Sequence, residues 1–292
     1  MIRKIYCVLG ISLLLFAGAC NYDPLSIDED DSLVLTDEER WMDYICSPAR
    51  MGRKAGTEGC DSVAVYLQRE LVSMGYDVRI QPFSIKDSLD VRNLYIEIKG
   101  DTDSLIVLGA HYDGAKSGKK YPAADDNGSG VVTLLSLCKY YSENGIKPPK
   151  TLVAGFWAAE ETTMGTAFNG SKYFVRTFDD LKMVKCYCNL DCFGRKNQGA
   201  FFYYSPGYQV VGDIMSCLLL EAGYTILEYS VKENEKRSSD YMSFYAKKIP
   251  YFGWNDYDNS GFIHSTDDTV EKISFDKIRS IASLTTKLIE KL

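Results

Sequence analysis

Two short runs, Ser104–Ala110 (Ser-Leu-Ile-Val-Leu-Gly-Ala) and Thr151–Trp157 (Thr-Leu-Val-Ala-Gly-Phe-Trp), carry almost no polar side chains. A strand with one wet face alternates polar and apolar residues, so an uninterrupted apolar run of this length has to be covered on both faces. Segments with helical signals surround these runs. Thr36-Asp37-Glu38-Glu39 reads as a capping box opening a helix through Trp41 and Ile45. Thr57 caps a second helix, in which Val63, Leu67, Leu71 and Met74 recur at helical spacing up to Gly75. Further strands are expected at 78–85, 91–98, 184–190, 200–204 and 249–254, and further helices at 128–141, 164–176, 208–222, 239–247 and 274–292. Strands alternating with helices predict an α/β fold of three layers, a mostly parallel, mixed β-sheet with helices on both faces.

The N-terminus reads as an address rather than as part of that fold. Arg3 and Lys4 precede an apolar run from Ile5 to Ala19 that is too short for an ordinary membrane span, and Cys20 closes it. Phe16-Ala17-Gly18-Ala19-Cys20 resembles a bacterial lipoprotein box, with Ala17 where leucine is usual. The expectation is a signal peptide over 1–19, lipid on Cys20, an acidic tether over 20–35 and one domain over 36–292. Asp23, Asp28, Glu29, Asp30 and Asp31 make the tether resemble surface-export signals of outer-membrane lipoproteins, which places the chain in the cell envelope; plain secretion is the alternative. Loss of residues 1–19 removes two positive charges, taking the net charge from −7 to −9. A chain so charged does not hold nucleic acid through its phosphates. Seven cysteines follow Cys20 without regular spacing, which is no disulfide scaffold. Cys186, Cys188 and Cys192 read as small buried hydrophobes rather than a soft metal site, and a Cys46–Cys60 bridge is possible without being predicted.

The polar motifs fall where this layout puts an active site. His111 and Asp113 follow one apolar strand, Glu160 and Glu161 follow the other, and Asp191 ends a third. In open α/β sheets, sites form beyond the carboxyl ends of the strands. His111 is suited to a metal, with Asp113 accepting a hydrogen bond from its ring, although a histidine at a strand end is often plain structure. Ala124-Asp125-Asp126-Asn127-Gly128-Ser129-Gly130 uses the ordinary vocabulary of turns and caps, yet a carboxylate there with both oxygens free can bridge two cations. Adjacent carboxylates at a buried strand end repel unless cations or protons relieve them, so Glu160 and Glu161 are expected to divide the work of ligand and base. The chain has one other histidine, His264, in Ile263-His264-Ser265-Thr266-Asp267-Asp268-Thr269.

Together these motifs resemble the co-catalytic dizinc aminopeptidases, whose superfamily also holds glutamate carboxypeptidases and animal-type glutaminyl cyclases. The likeness runs from about Arg53 to the C-terminus. It implies a zinc-dependent exopeptidase fold, peptide substrates and two zinc ions. On that pattern Asp126 bridges, His111 and Asp191 complete one zinc, and Glu161 and His264 the other. Glu160 is then the general base and acid, and Asp113 orients His111. One departure is visible: Ser239-Asp240-Tyr241 stands where the family often has Ser-Asp-His. Two rivals remain, a single-zinc glutaminyl cyclase-like acyltransferase and a non-catalytic surface binding protein. Tyr203, Tyr204, Phe252, Trp254 and Tyr257 are candidates for a specificity pocket, with core packing the commoner fate of any one of them.

Overall fold

The computed structural model describes residues 35–233 and 238–292; the expected signal peptide, Cys20 and almost all of the acidic tether lie outside them. Eight strands form one sheet: β1 (Arg79–Ile85), β2 (Leu89–Ile98), β3 (Leu105–His111), β4 (Thr151–Trp157), β5 (Val184–Leu190), β6 (Ala200–Tyr204), β7 (Tyr229–Glu233) and β8 (Tyr251–Asp256). Their spatial order is β1-β2-β4-β3-β5-β8-β6-β7. The central block β4-β3-β5-β8 is parallel throughout, whereas β2 joins β4 and β6 joins β8 antiparallel. The sheet is therefore mixed with a parallel centre.

The apolar runs sit in that centre, and their period of two divides them between two cores. Ile106, Leu108 and Ala110 of β3 pack on one face, with helices α1 (Asp37–Cys46), α2 (Glu58–Ser73), α3 (Gly130–Asn144), α5 (Gln209–Glu221) and α7 (Phe275–Lys291). Leu105 and Val107 face the other way, toward Phe174 and Val175 of α4 (Asn169–Thr177) and Tyr241 and Phe244 of α6 (Tyr241–Tyr245). Gly109 and Gly155 in the middle strands are spacing devices. A Cβ on either would lie 2.2 Å or less from the Trp157 side chain. That ring is buried in the second core and donates its Nε1–H to the Tyr187 hydroxyl at 3.1 Å.

Local signals acted as read at several ends. Thr36 and Glu39 form the full capping box of α1, and Thr57 caps α2 through the Cys60 N–H. Three expectations shift. The helix expected from Met164 begins at Asn169, because Thr163 and Thr166 pair across a tight turn first. The helix expected from Gly128 begins its regular turns at Gly130, preceded by an irregular turn over Ala124–Ser129. Strand β7 was not anticipated; its Tyr-Ser-Val-Lys-Glu pattern is a half-exposed edge without a continuous apolar run. Cys46, Cys60, Cys138, Cys186, Cys188, Cys192 and Cys217 are all free.

Candidate active site

Four parallel strands end on one edge of the sheet, and each delivers part of the site. In β3 and β4 the register sets His111 opposite Trp157, so Asp113 and the Glu160-Glu161 pair leave neighbouring strand ends. Asp191 follows β5, the strand on the other side of β3, and His264 lies on the loop after β8. Asp126 sits in the turn between β3 and α3, where the Asp126–Asn127 peptide is cis. All seven residues singled out from the sequence come together at this edge. His111, Asp126, Glu160, Glu161, Asp191 and His264 line a cavity of about 690 Å³, within the usual size for a small-ligand site.

The side chains form two clusters joined by one carboxylate. His111 Nε2 lies 3.3 Å from Asp126 Oδ1 and 3.5 Å from Asp191 Oδ1. His264 Nε2 lies 2.9 Å from Asp126 Oδ2 and 2.9 Å from Glu161 Oε1. In each trio, His111-Asp126-Asp191 and Asp126-Glu161-His264, the three ligand atoms lie within 4.8 Å of one another. Asp126 turns one oxygen to each trio. Glu160 belongs to neither, with its Oε2 4.0 Å from His111 Nε2.

The charges are held in tension. Burial pulls the His111 imidazole down, but the charge of Glu160 and contacts with Asp113, Asp126 and Asp191 outweigh it and leave it raised well above its ordinary value. Hydrogen bonds to Asp126 and Glu161 push His264 up to about 10. Burial, reinforced by the Asp126 charge, raises Glu161 to about 7. Burial also raises Glu160 well above the carboxylate range, with Asp240, Asp191 and Glu161 adding to the effect against the pull of His111. Asp126 goes the other way: burial disfavours its charge, yet both imidazoles stabilise it and hold it below the usual range. Such a set of buried acids with two imidazoles, hard oxygen and borderline nitrogen donors grouped in threes, fits two divalent zinc ions.

Around these side chains lies a supporting layer that the sequence reading caught only in part. The Asp113 carboxylate accepts the N–H of Glu160 at 3.0 Å and that of Glu161 at 3.3 Å, fixing the turn that carries both. The His111 Nδ1 lies 3.2 Å from the Asp113 backbone carbonyl oxygen and 3.6 Å from the carboxylate Oδ1 of the same residue. Asp113 therefore orients His111 mainly through its main chain. Asp268, quoted in a motif but given no role, accepts the N–H groups of Asp125 at 2.6 Å and Asp126 at 3.0 Å. Arg53 is fully buried and donates to the carbonyls of Tyr112 (2.8 Å), Ala123 (2.6 Å) and Pro122, tying the exit of β3 to the turn that bears Asp126. Ser239 donates to Asp191 Oδ2 at 2.7 Å.

Asp240, considered as a helix cap, is buried at the start of α6 and makes no side-chain cap bond. Tyr241 lines the cavity and stacks on Tyr251 with ring centroids 4.2 Å apart. Of the five aromatic pocket candidates only Tyr203 is on the cavity wall; Phe252 and Trp254 are fully buried in the core.

Solved structures share this architecture. A zinc aminopeptidase from Bacillus subtilis superposes with a TM-score of 0.74 at 14% identity, covering 86% of this chain and 93% of that one. A glutaminyl cyclase from Porphyromonas gingivalis superposes with a TM-score of 0.72 at 19% identity, covering 87% and 98%. At such identities the likeness is one of fold. By sequence, the chain is 30% identical over 153 residues to leupeptin-inactivating enzyme 1 of Streptomyces exfoliatus, covering 52% of this chain and 33% of that protein. It is 29% identical over 196 residues to leucine aminopeptidase 2 of Trichophyton rubrum, covering 63% and 37%. The chain thus spans about a third of the length of these curated relatives. The model of peptidase family M28 matches residues 93–289, which is most of the domain and every metal-cluster residue from His111 to His264, and the chain belongs to that family.

Proposed function

We propose that this chain is a zinc-dependent aminopeptidase that releases N-terminal residues from peptides. One observation carries the reading: two ligand trios share the Asp126 carboxylate while Glu160, close to His111, is left out of either. His111, Asp126 and Asp191 would hold one zinc ion, and Asp126, Glu161 and His264 the other. Bound there, the pair would supply Lewis acidity, polarising a peptide carbonyl and lowering the pKa of water. Glu160 is the group free to accept a proton from the attacking water and return it to the departing amine. Its raised proton affinity suits that exchange. Asp113 holds Glu160 and Glu161 on one turn, so that one reaches the trio and the other stays clear of it.

Aminopeptidase names recur among the sequence relatives, and the leucine named there agrees with the apolar wall of Phe168, Tyr203, Tyr241 and Ile263. The reading places the domain in the cell envelope, tethered through a lipid on Cys20, on the strength of Arg3, Lys4 and the apolar run to Ala19.

The test is a panel of aminoacyl and free-carboxyl peptides assayed with and without a chelator, together with metal analysis. Two zinc ions per chain and chelator-sensitive release of an N-terminal apolar residue are expected. One zinc with a pyroglutamyl product would instead identify a cyclase, and binding without turnover a receptor. Glu160→Gln should keep both zinc ions while turnover falls about 10²–10⁴-fold; near-normal turnover would remove Glu160 from its role.

A further inference from the structure

The loop that leads from β3 to the Asp126 turn, residues 114–122, carries Lys116, Lys119 and Lys120 within five positions, all three exposed. Acids outnumber bases in this chain, 40 to 33, and other lysines find one: Lys139 pairs with Asp37 and Glu143, and Lys272 with Asp267. Among the described residues these three have no acid within ion-pair reach. Two of them meet an aromatic ring instead. The ammonium of Lys116 lies 5.3 Å and that of Lys120 5.7 Å from the centre of the Tyr121 ring. The segment beneath, Pro48–Arg53, reads Pro-Ala-Arg-Met-Gly-Arg and brings no acid either. The loop is bound to that segment: Gly118 donates its N–H to the Met51 carbonyl at 2.8 Å, and Gly114 to the Arg53 carbonyl at 3.2 Å. Arg53 returns a bond to the Pro122 carbonyl, and a Cβ on Gly52 would come within 2.2 Å of the Lys116 carbonyl oxygen. The lysines therefore stand on a fixed ledge.

This ledge borders the metal site. Lys116, Tyr121 and Ala123 share a crevice with Asp126, His264 and Ser265, outside the wall of the larger cavity. An aminopeptidase substrate has one residue on the amino side of the cleaved bond and the rest of the peptide on the other. That one residue goes into the cavity, so a ledge outside it meets the departing peptide. Two ammoniums beside one ring repel each other, and the face of the ring offsets only part of this. An arriving anion would offset more. The Asp126 carboxylate is already engaged, one oxygen facing each imidazole. We propose that Lys116, Lys119 and Lys120 bind a carboxylate of the departing peptide, so that the enzyme favours substrates with negative charge just beyond the cleaved bond. An acidic side chain and the C-terminus of a short peptide both supply that group. The proposal rests on the aminopeptidase reading and names a substrate class for it.

Four peptides test it on the zinc-loaded full chain: Leu-Ala-Ala-amide, Leu-Asp-Ala-amide, Leu-Ala-Ala with a free C-terminus, and Leu-Lys-Ala-amide. For at least one anionic peptide, kcat/KM should exceed that of the neutral amide about three- to thirtyfold, the range of a few exposed charge pairs. The advantage should shrink in about 0.5 M salt, where the screening length is roughly 4 Å. A gain for the aspartyl peptide assigns the ledge to acidic side chains, and a gain for the free acid assigns it to the C-terminus. Lys116→Gln, Lys119→Gln and Lys120→Gln together should abolish the advantage with zinc content unchanged. Lys116→Glu, Lys119→Glu and Lys120→Glu together should reverse it in favour of Leu-Lys-Ala-amide, which a merely structural role of the loop would not do. Equal kcat/KM for neutral and anionic peptides in the wild type would overturn the proposal and leave the aminopeptidase reading standing. So would an advantage that survives the triple glutamine variant. No turnover of any of the four would remove that reading, and the proposal with it.

Discussion

Replacing Arg53 by methionine tests whether the metal turn is held from beneath. The guanidinium is fully buried; three of its bonds go to the main-chain carbonyls of Tyr112, Pro122 and Ala123, and a longer fourth goes to Cys46 Sγ. Methionine keeps the apolar stem and removes every donor, leaving three buried acceptors to find other partners. At about 1.5 kcal/mol for each hydrogen bond to a charged group, the loss is about 4–5 kcal/mol. Part of it is offset because a buried cation no longer has to be desolvated, so a net cost of about 3 kcal/mol is expected. For a domain of this size that is a fall in melting temperature of roughly 6–12 °C. Because the bonds join the exit of β3, with His111, to the turn with Asp126, zinc affinity should fall as well, about 10–100-fold as for other supports of ligands. Denaturant unfolding of the metal-free protein measures the first effect and competition with a chelator the second. Arg53→Lys should fail similarly, since one ammonium cannot reproduce the planar fork. A methionine variant with wild-type unfolding midpoint and zinc affinity would refute the reasoning.

Asp268→Asn should lower zinc affinity with a smaller stability loss, about 1–3 kcal/mol, because one of the two backbone N–H groups it now serves would face an amide NH₂; unfolding and chelator competition check it. His264 is about half exposed and His111 is buried, so His264→Ala should lose one zinc and keep the fold, as read by metal analysis and circular dichroism. In the metal-free protein His264 is raised to about 10 and is protonated at neutral pH. Zinc must displace that proton, so apparent affinity should rise with pH toward 10; calorimetry in buffers of different ionisation enthalpy should show proton release, and its absence would refute this.

The central sheet was legible because its strands are apolar on both faces, and only burial explains such a pattern at that length. The caps at Thr36 and Thr57 were legible because they are local. Strand β7 was not, since its half-exposed pattern contains nothing that a loop would not tolerate. The metal-site candidates could be named because histidine and paired acids at strand ends have few bland explanations. Arg53 and Ser239 could not be given their parts on the same ground. Their partners are the carbonyls of Tyr112, Pro122 and Ala123 and the carboxylate of Asp191, tens of residues away. No spacing along the chain records a bond to an atom so far away in sequence. Asp113 shows the same limit: its place beside His111 could be read from the sequence, but the split between a carbonyl for His111 and a carboxylate for the Glu160 turn could not.

That split explains how two adjacent glutamates come to do different things. Neighbours in sequence cannot differ through their local environment alone, since both leave the same strand end and both are more than nine-tenths buried. What separates them is a turn pinned by one carboxylate on two successive amides, which sends one side chain toward His264 and leaves the other near His111. The arrangement carries a cost that the chain itself does not relieve, because Glu160, Glu161 and Asp126 are gathered where burial disfavours their charge. Two imidazoles offset part of it. Cations in the trios would offset more for Glu161, Asp126 and Asp191 than for Glu160, which has no place in either. The carboxylate least relieved is then the one that keeps the strongest hold on a proton, and this is the property a general base needs if it is to give that proton back.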